Sequence, residues 1–347
     1  MSALAPARSP AEPADDPRVL RRATLAFQQP ALAPALWQLG NSVLPLLALL
    51  VAMYLLLPWS IWAAWALAVP AAGCVVRIFI IQHDCGHGAF FRSRRLNDIF
   101  GTLCSLATMT PYAMWRRQHA GHHRNWNNLD QRHAGSDIYS GCMTLGEYRV
   151  LPAWRRRLYR LVQHPAVALV ALPPVVFLLL YRVPFDTPDA WRAERRSVYL
   201  TNLALLVLFL GLGSLVGFRA VLLVQVPIVA LAATAGIWLF SIQHRFETAL
   251  WARQGEWEPV AASLRGSSYL KLPWLLQWFT GNIGFHHIHH LNPRIPNYRL
   301  QACHRATPAL AAVPALPVRR VLASWRLALW DEAQGCLVGF PEHATVR

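Results

Sequence analysis

The chain has 347 residues, 55 % of them hydrophobic and only 14 % charged, against roughly 25 % charged in soluble domains. With a mean hydropathy of +0.28 and several long apolar runs, an ordinary soluble domain is excluded. The formal net charge of +16 is almost wholly arginine, Lys271 being the one lysine; no nucleic-acid motif accompanies it, so it reads as loops facing anionic lipid headgroups and not as a nucleic-acid surface.

In chain order, residues 1–35 are rich in Ala, Pro and charge and hold no signal-peptide-like apolar core. They read as a mobile N-terminal tail. Residues 36–57 and 61–81 each supply the roughly 20 apolar residues of a membrane span, with Pro58 and Trp59 as the tight turn between them. Arg77 sits near enough to one end to snorkel. Residues 197–216 and 220–241 form a second hairpin that turns at Gly217-Phe218-Arg219. Two further apolar stretches are different. Residues 99–114 are short and contain threonines, and 162–181 are broken by Pro173-Pro174. Arginine-rich loops flank both, so the positive-inside rule returns each to the side it entered from, as an interfacial or re-entrant helix. From His244 onward no span remains, and a cytosolic helical cap is expected. The expected domains are the tail 1–35, a membrane domain 36–303 and a C-terminal cytosolic tail 304–347. The expected fold class is therefore an all-α integral membrane bundle of about four full spans. The six cysteines (Cys74, Cys85, Cys104, Cys142, Cys303, Cys336) form no CxxC pair, which suits a reducing face.

Histidine makes the sequence specific. Of 14 histidines, three tight groups stand out: His83 and His87; His119, His122 and His123; and His286, His287, His289 and His290, with His244 as an outlier after the last span. Residues i, i+3 and i+4 share a helix face, so each group can aim at one point. Two plus three plus three imidazoles exceed the capacity of one metal, and two metals are implied. All-imidazole sites suit Fe, Cu, Ni or Zn. A zinc-protease reading fails because Asp84 stands where HExxH needs glutamate. His287 is turned about 100° from His286, off the ligand face.

The run His83-Asp84-Cys85-Gly86-His87-Gly88, the stretch from Pro111 to Asp130 with Trp115 through His119 and Asn128-Leu129-Asp130, and Gly281 through His290-Leu291 with Arg294-Ile295-Pro296-Asn297-Tyr298 resemble the three histidine boxes of the membrane fatty acid desaturases. The resemblance covers about residues 40–303. It implies a non-haem centre of two Fe that uses O₂ to remove two hydrogens from adjacent methylenes of a membrane lipid acyl chain. His83, His87, His119, His122, His123, His244, His286, His289 and His290 are the implied ligands. The setting implied is a bacterial inner membrane, with the boxes on the cytosolic face. No fused electron-transfer module is seen, so the donor is expected to be a separate protein of ferredoxin or cytochrome b5 type. Animal stearoyl desaturases carry an Asn ligand one turn before the extra histidine. Phe240 holds that place here, and the nearest amides are Gln243 and Asn282, which leaves water as an alternative. Asp84, Asp130, Asp137, Glu247 and Asn282 are the candidates to orient the imidazoles. The same cage could insert oxygen, as in a hydroxylase or ketolase acting on a lipid, carotenoid or hydrocarbon. A metal transporter would instead put its ligands near the bilayer midplane.

Overall fold

The computed structural model describes residues 17–132 and 141–341. Among these residues, four helices are long and apolar enough to cross a membrane: α2 (Leu32–Leu56), α3 (Ile61–Gly86), α9 (Arg192–Val216) and α10 (Phe218–His244). Each has 25 to 27 residues, about 37 to 40 Å at 1.5 Å per residue, enough for a roughly 30 Å hydrocarbon core. Most of α2 and α9 faces outward: Leu44, Leu55 and Val207 are exposed, as lipid-facing side chains must be. Trp37, Trp59 and Trp62 are exposed near the helix ends, the usual depth of interfacial tryptophan.

Local chemistry sets the ends. Ser60 caps α3, its hydroxyl accepting from the Ala63 N–H at 3.2 Å. Gly217, at φ +89°, makes the turn between α9 and α10, a backbone region open to glycine. Phe218 then folds over Gly213, where any Cβ would strike its ring. Pro45, Pro70 and Pro227 lie inside spans, where neighbouring helices make such breaks tolerable.

The two doubtful stretches are resolved as bent elements. Residues 99–114 divide between α4 (Arg94–Thr108) and α5 (Tyr112–Asn125), joined at Met109, which adopts φ +53°. At 15 residues α4 is about 22 Å long, too short to span. Its exposed Ile99 and Leu103 suit an interfacial position. After β1 (Met143–Thr144) and α6 (Leu145–Val150), α7 (Ala153–Gln163) meets the 166–182 segment at a 55° bend. That segment is a π-helical turn, Ala166–Ala171, followed by α8 (Leu172–Leu178) and a 3₁₀ turn, Leu180–Arg182. Pro173 and Pro174 lie in the first turn of α8, where a missing N–H costs least.

The cap follows α10: α11 (Pro259–Gly266), β2 (Tyr269–Leu270), α12 (Trp274–Phe279), α13 (His286–Leu291) and α14 (Asn297–Ala306), then β3 (Ala315–Leu316), β4 (Leu329–Asp331) and β5 (Cys336–Val338). The cap is therefore not purely helical. Strand β1 pairs in parallel with β4, which pairs antiparallel with β5, and β2 pairs in parallel with β3. The boundary placed at 303 falls inside α14, and the chain beyond it packs back through Leu310, Leu329 and Leu337, all buried. Residues 17–27 are also ordered, with α1 (Pro17–Thr24) burying Leu20. Asn292 ties this stretch down: it accepts from Gln28 Nε2 at 2.8 Å and donates Nδ2–H to Thr24 Oγ1 at 2.8 Å. One buried leucine among arginines leaves no periodic signal, so the sequence read as a tail.

Candidate metal centre

Nine imidazoles meet where the ends of α3 and α10 are covered by α5 and α13. Helix α3 continues past residue 81 to Gly86, so His83 lies in its last turn and His87 directly follows. His244 is the last residue of α10, not a residue beyond it. Helix α5 carries His119, His122 and His123, and the six-residue α13 carries His286, His289 and His290.

Two groups result. Ring nitrogens of His83, His87, His119, His123 and His289 lie within 4.8 Å of one another, and those of His122, His244 and His290 do likewise. His286 joins the second group, its Nε2 2.9 Å from His244 Nε2 and 3.1 Å from His290 Nε2. The logic is helical. Each i, i+4 pair (83/87, 119/123, 286/290) stays together, whereas the i+3 residues His122 and His289 cross to the other group. The groups touch where the His123 ring stacks on His290 at 4.2 Å.

The proton count of these rings fits a metal. His123 Nε2 lies 3.1 Å from His119 Nε2 and 3.0 Å from His289 Nε2. A ring nitrogen offers one proton or one lone pair, so it can satisfy only one of those neighbours. His286 Nε2 faces the same conflict between His244 and His290. A shared cation receiving all the lone pairs removes it. Ligands about 2.1 Å from one ion and 90° apart would lie about 3.0 Å from each other. Burial, and then the neighbouring histidines, hold His87, His119, His122, His123, His286, His289 and His290 well below the usual imidazole pKa. They are thus neutral, the form a metal requires.

Of the expected orienting residues, Asp84 has that position. It is buried, with Oδ1 3.1 Å from His83 Nδ1, while Oδ2 accepts from the Asn297 backbone N–H at 2.6 Å and from its Nδ2–H at 2.8 Å. Asn297 Oδ1 accepts in turn from Gln38 Nε2 at 2.9 Å. The other described candidates are placed differently. Asp130 is exposed, accepting from Arg253 and the Gln254 N–H. These bonds hold its carboxyl below the usual range, but they orient a cap loop and no imidazole. Glu247 is exposed, and its contribution is a backbone carbonyl that accepts from Leu337. Asn282 accepts from Gln277 Nε2 and donates to the Asn297 carbonyl, shaping the turn before α13. Asp137 lies outside the described residues. His287 is buried beside Tyr269 and His304, away from both groups.

Other contacts have no sequence signal. Trp115 stacks on His119 at 4.6 Å. Trp126 lies 3.7 Å from the His244 ring and donates Nε1–H to the Gly266 carbonyl. Phe240 packs against His122 and His244 at 5.3 and 5.0 Å. Gln243 donates to the Ile283 carbonyl at 3.0 Å.

Next to the rings lies a mainly apolar cavity of about 100 Å³ between α3, α4, α8 and α10, with Thr108 and Gln243 as polar side chains besides the histidines. Its walls include Val76, Ala107, Phe177, Ala233 and Gly236, and its floor is His83, His119 and His286. It therefore reaches rings of both groups.

Together these features define an integral membrane protein of apolar helices in which two adjoining histidine groups, able to bind metal, border an apolar cavity. The fatty acid desaturase family model matches residues 60–321, and the chain belongs to that family. It is 40 % identical to a fatty acid desaturase of Bacillus subtilis, over 92 % of this chain and 90 % of that protein. A chloroplastic omega-3 fatty acid desaturase of Glycine max is 31 % identical over 71 % of this chain and 55 % of its own length. An sn-1 acyl-lipid omega-3 desaturase (ferredoxin) of Nostoc is 26 % identical over 68 % and 64 %. The chain is thus an oxidoreductase of lipid metabolism that desaturates fatty acyl chains.

Proposed function

We propose that the nine histidines hold two irons and that the enzyme uses O₂ to convert a –CH₂–CH₂– unit of a membrane acyl lipid into –CH=CH–. The bound pair of irons would activate O₂; the two substrate hydrogens, two electrons and two protons are consumed with it to give two waters. His83, His87, His119, His123 and His289 serve one iron, and His122, His244, His286 and His290 the other.

The observation that carries this reading is the cavity, because it ends on rings of both groups. An acyl chain in it presents a methylene pair to the centre between mainly apolar walls. Small side chains at Ala107, Ala233 and Gly236 leave the width for a methylene chain, and Phe177 and Tyr181 close it on the α8 side. Trp115, Trp126 and Phe240 exclude water and fix the ring planes, while Asp84 holds the His83 proton on Nδ1.

The metal side is proposed to face the cytosol of a bacterial inner membrane. His83 and His244 lie in the last turns of two spans and belong to adjoining histidine groups, so those ends share one side. The α9–α10 hairpin supplies an even number of crossings, so 153–182 enters and leaves on that side. The arginine-rich loops support the cytosolic assignment through the positive-inside rule. The electrons are proposed to come from a separate ferredoxin- or cytochrome b5-type protein; the Nostoc relative is named for ferredoxin.

The test is mass analysis of lipids from cells expressing the chain. Acyl chains lacking two hydrogens are expected. Acyl chains that gain an oxygen would establish a hydroxylase or ketolase instead.

A further inference from the structure

We infer that the exposed face of α5, beside His87 and His123, is the docking surface for an acidic one-electron carrier protein. This rests on the external-donor reading above and adds the place and the contact chemistry.

Of the nine histidines, His87 and His123 are half-buried, whereas the other seven are buried. The two lie 4.5 Å apart between ring centres. Gly88, next to His87, is exposed, with no atom near where a Cβ would stand. These two are therefore the least enclosed of the nine, and an approach from solvent toward the histidine groups is shortest on this face.

The surroundings are basic. Arg116, Ala120 and Arg124 fall at i, i+4 and i+8 on α5 and so form one stripe, about 12 Å long. The Arg116 stem lies 3.6 Å from where a Gly86 Cβ would stand, on the turn that leads into His87. Arg124 follows His123, is exposed, and makes no ion pair among the described residues. Ala120 between them is exposed and small, which permits close approach. Helix α4 adds exposed Arg94 and Arg95 one turn before Asp98, which bonds Arg116 at 2.5 Å. Asp98 is the one carboxylate in this group against four arginines, so the face stays positive. Arg117 is set aside by its pair with Glu194. Such a field steers an acidic partner and makes its association salt-dependent. Each docking transfers one electron and oxidises one carrier; two dockings serve each turnover.

The test uses the full-length, iron-loaded enzyme in nanodiscs with reduced plant-type ferredoxin as probe. Arg124→Glu should raise the KM for ferredoxin about tenfold and flatten its salt dependence, with kcat at saturating donor and iron content unchanged. Arg155→Glu/Arg156→Glu on α7, equally basic but away from any exposed ring, should change neither. Product from one turnover of dithionite-reduced enzyme should be the same in Arg124→Glu and the parent. A KM raised by the α7 variant and not by Arg124→Glu would move the docking surface and overturn the inference. Loss of the dithionite-driven turnover in Arg124→Glu alone would also overturn it, assigning Arg124 to the metal site. No desaturated product from the dithionite-reduced parent would instead refute the desaturation chemistry, and the docking surface with it.

Discussion

Replacing Asp84 by asparagine changes one atom and tests how the cage is oriented. The buried carboxylate faces three N–H groups: His83 Nδ1 at 3.1 Å, the Asn297 backbone at 2.6 Å and Asn297 Nδ2 at 2.8 Å. An amide has only one accepting oxygen. If that oxygen stays with Asn297, the new NH₂ points at His83 Nδ1 and forces the ring proton onto Nε2, which removes a metal-binding lone pair. If the amide flips, both Asn297 donors lose their acceptor and the start of α14 is left uncapped. Either arrangement leaves at least one buried donor unmet, at a cost of about 1–3 kcal/mol. Loss of such a partner typically weakens metal binding about 10- to 100-fold. We expect Asp84→Asn to fold, to lose iron to a chelator at correspondingly lower concentration, and to lose desaturation in parallel. Iron retention and turnover equal to the parent would refute the role given to this carboxylate.

Three further outcomes follow from the same geometry. His244→Ala should be inactive and depleted of iron, whereas His287→Ala should keep substantial activity at a stability cost of about 0.5–3 kcal/mol; the reverse pattern, read by iron analysis and product formation, would mean α13 is assigned in the wrong register. A topology reporter fused near Asp189 should read cytosolic, and a periplasmic reading would require 153–182 to cross. Gly236 borders the cavity with nothing near its missing Cβ, so Gly236→Phe should fill it and lower turnover of long acyl chains by about tenfold or more. The iron content of that variant should not change, and full activity would show that the acyl chain lies elsewhere.

Much of the centre could be read from the sequence because helical spacing is local. The i, i+4 pairs announce convergence, and His287 is excluded by a single 100° step. The division into two groups was less visible: it depends on His122 and His289 crossing between helices, which only the packing of α5 against α13 and the α3 end decides. Asp84 was legible because it neighbours His83. Its partner Asn297 is 213 positions away, and nothing local announces it or Gln38. Asp130, Glu247 and Asn282 lie near the boxes in sequence, but Asp130 and Glu247 face water and Asn282 braces a turn. The four spans were legible from hydropathy, although α3 and α10 run on into polar turns because the histidines there are buried by the cap. Strands of two or three residues, such as β1 and β4, have no periodicity to read.

The most direct test of the central claim is metal analysis of the purified protein beside His122→Ala. Close to two irons per chain are expected in the parent, one for each imidazole group. His122→Ala is expected to hold less iron and to form no desaturated product. A His122→Ala protein that is fully metallated and active would contradict that claim.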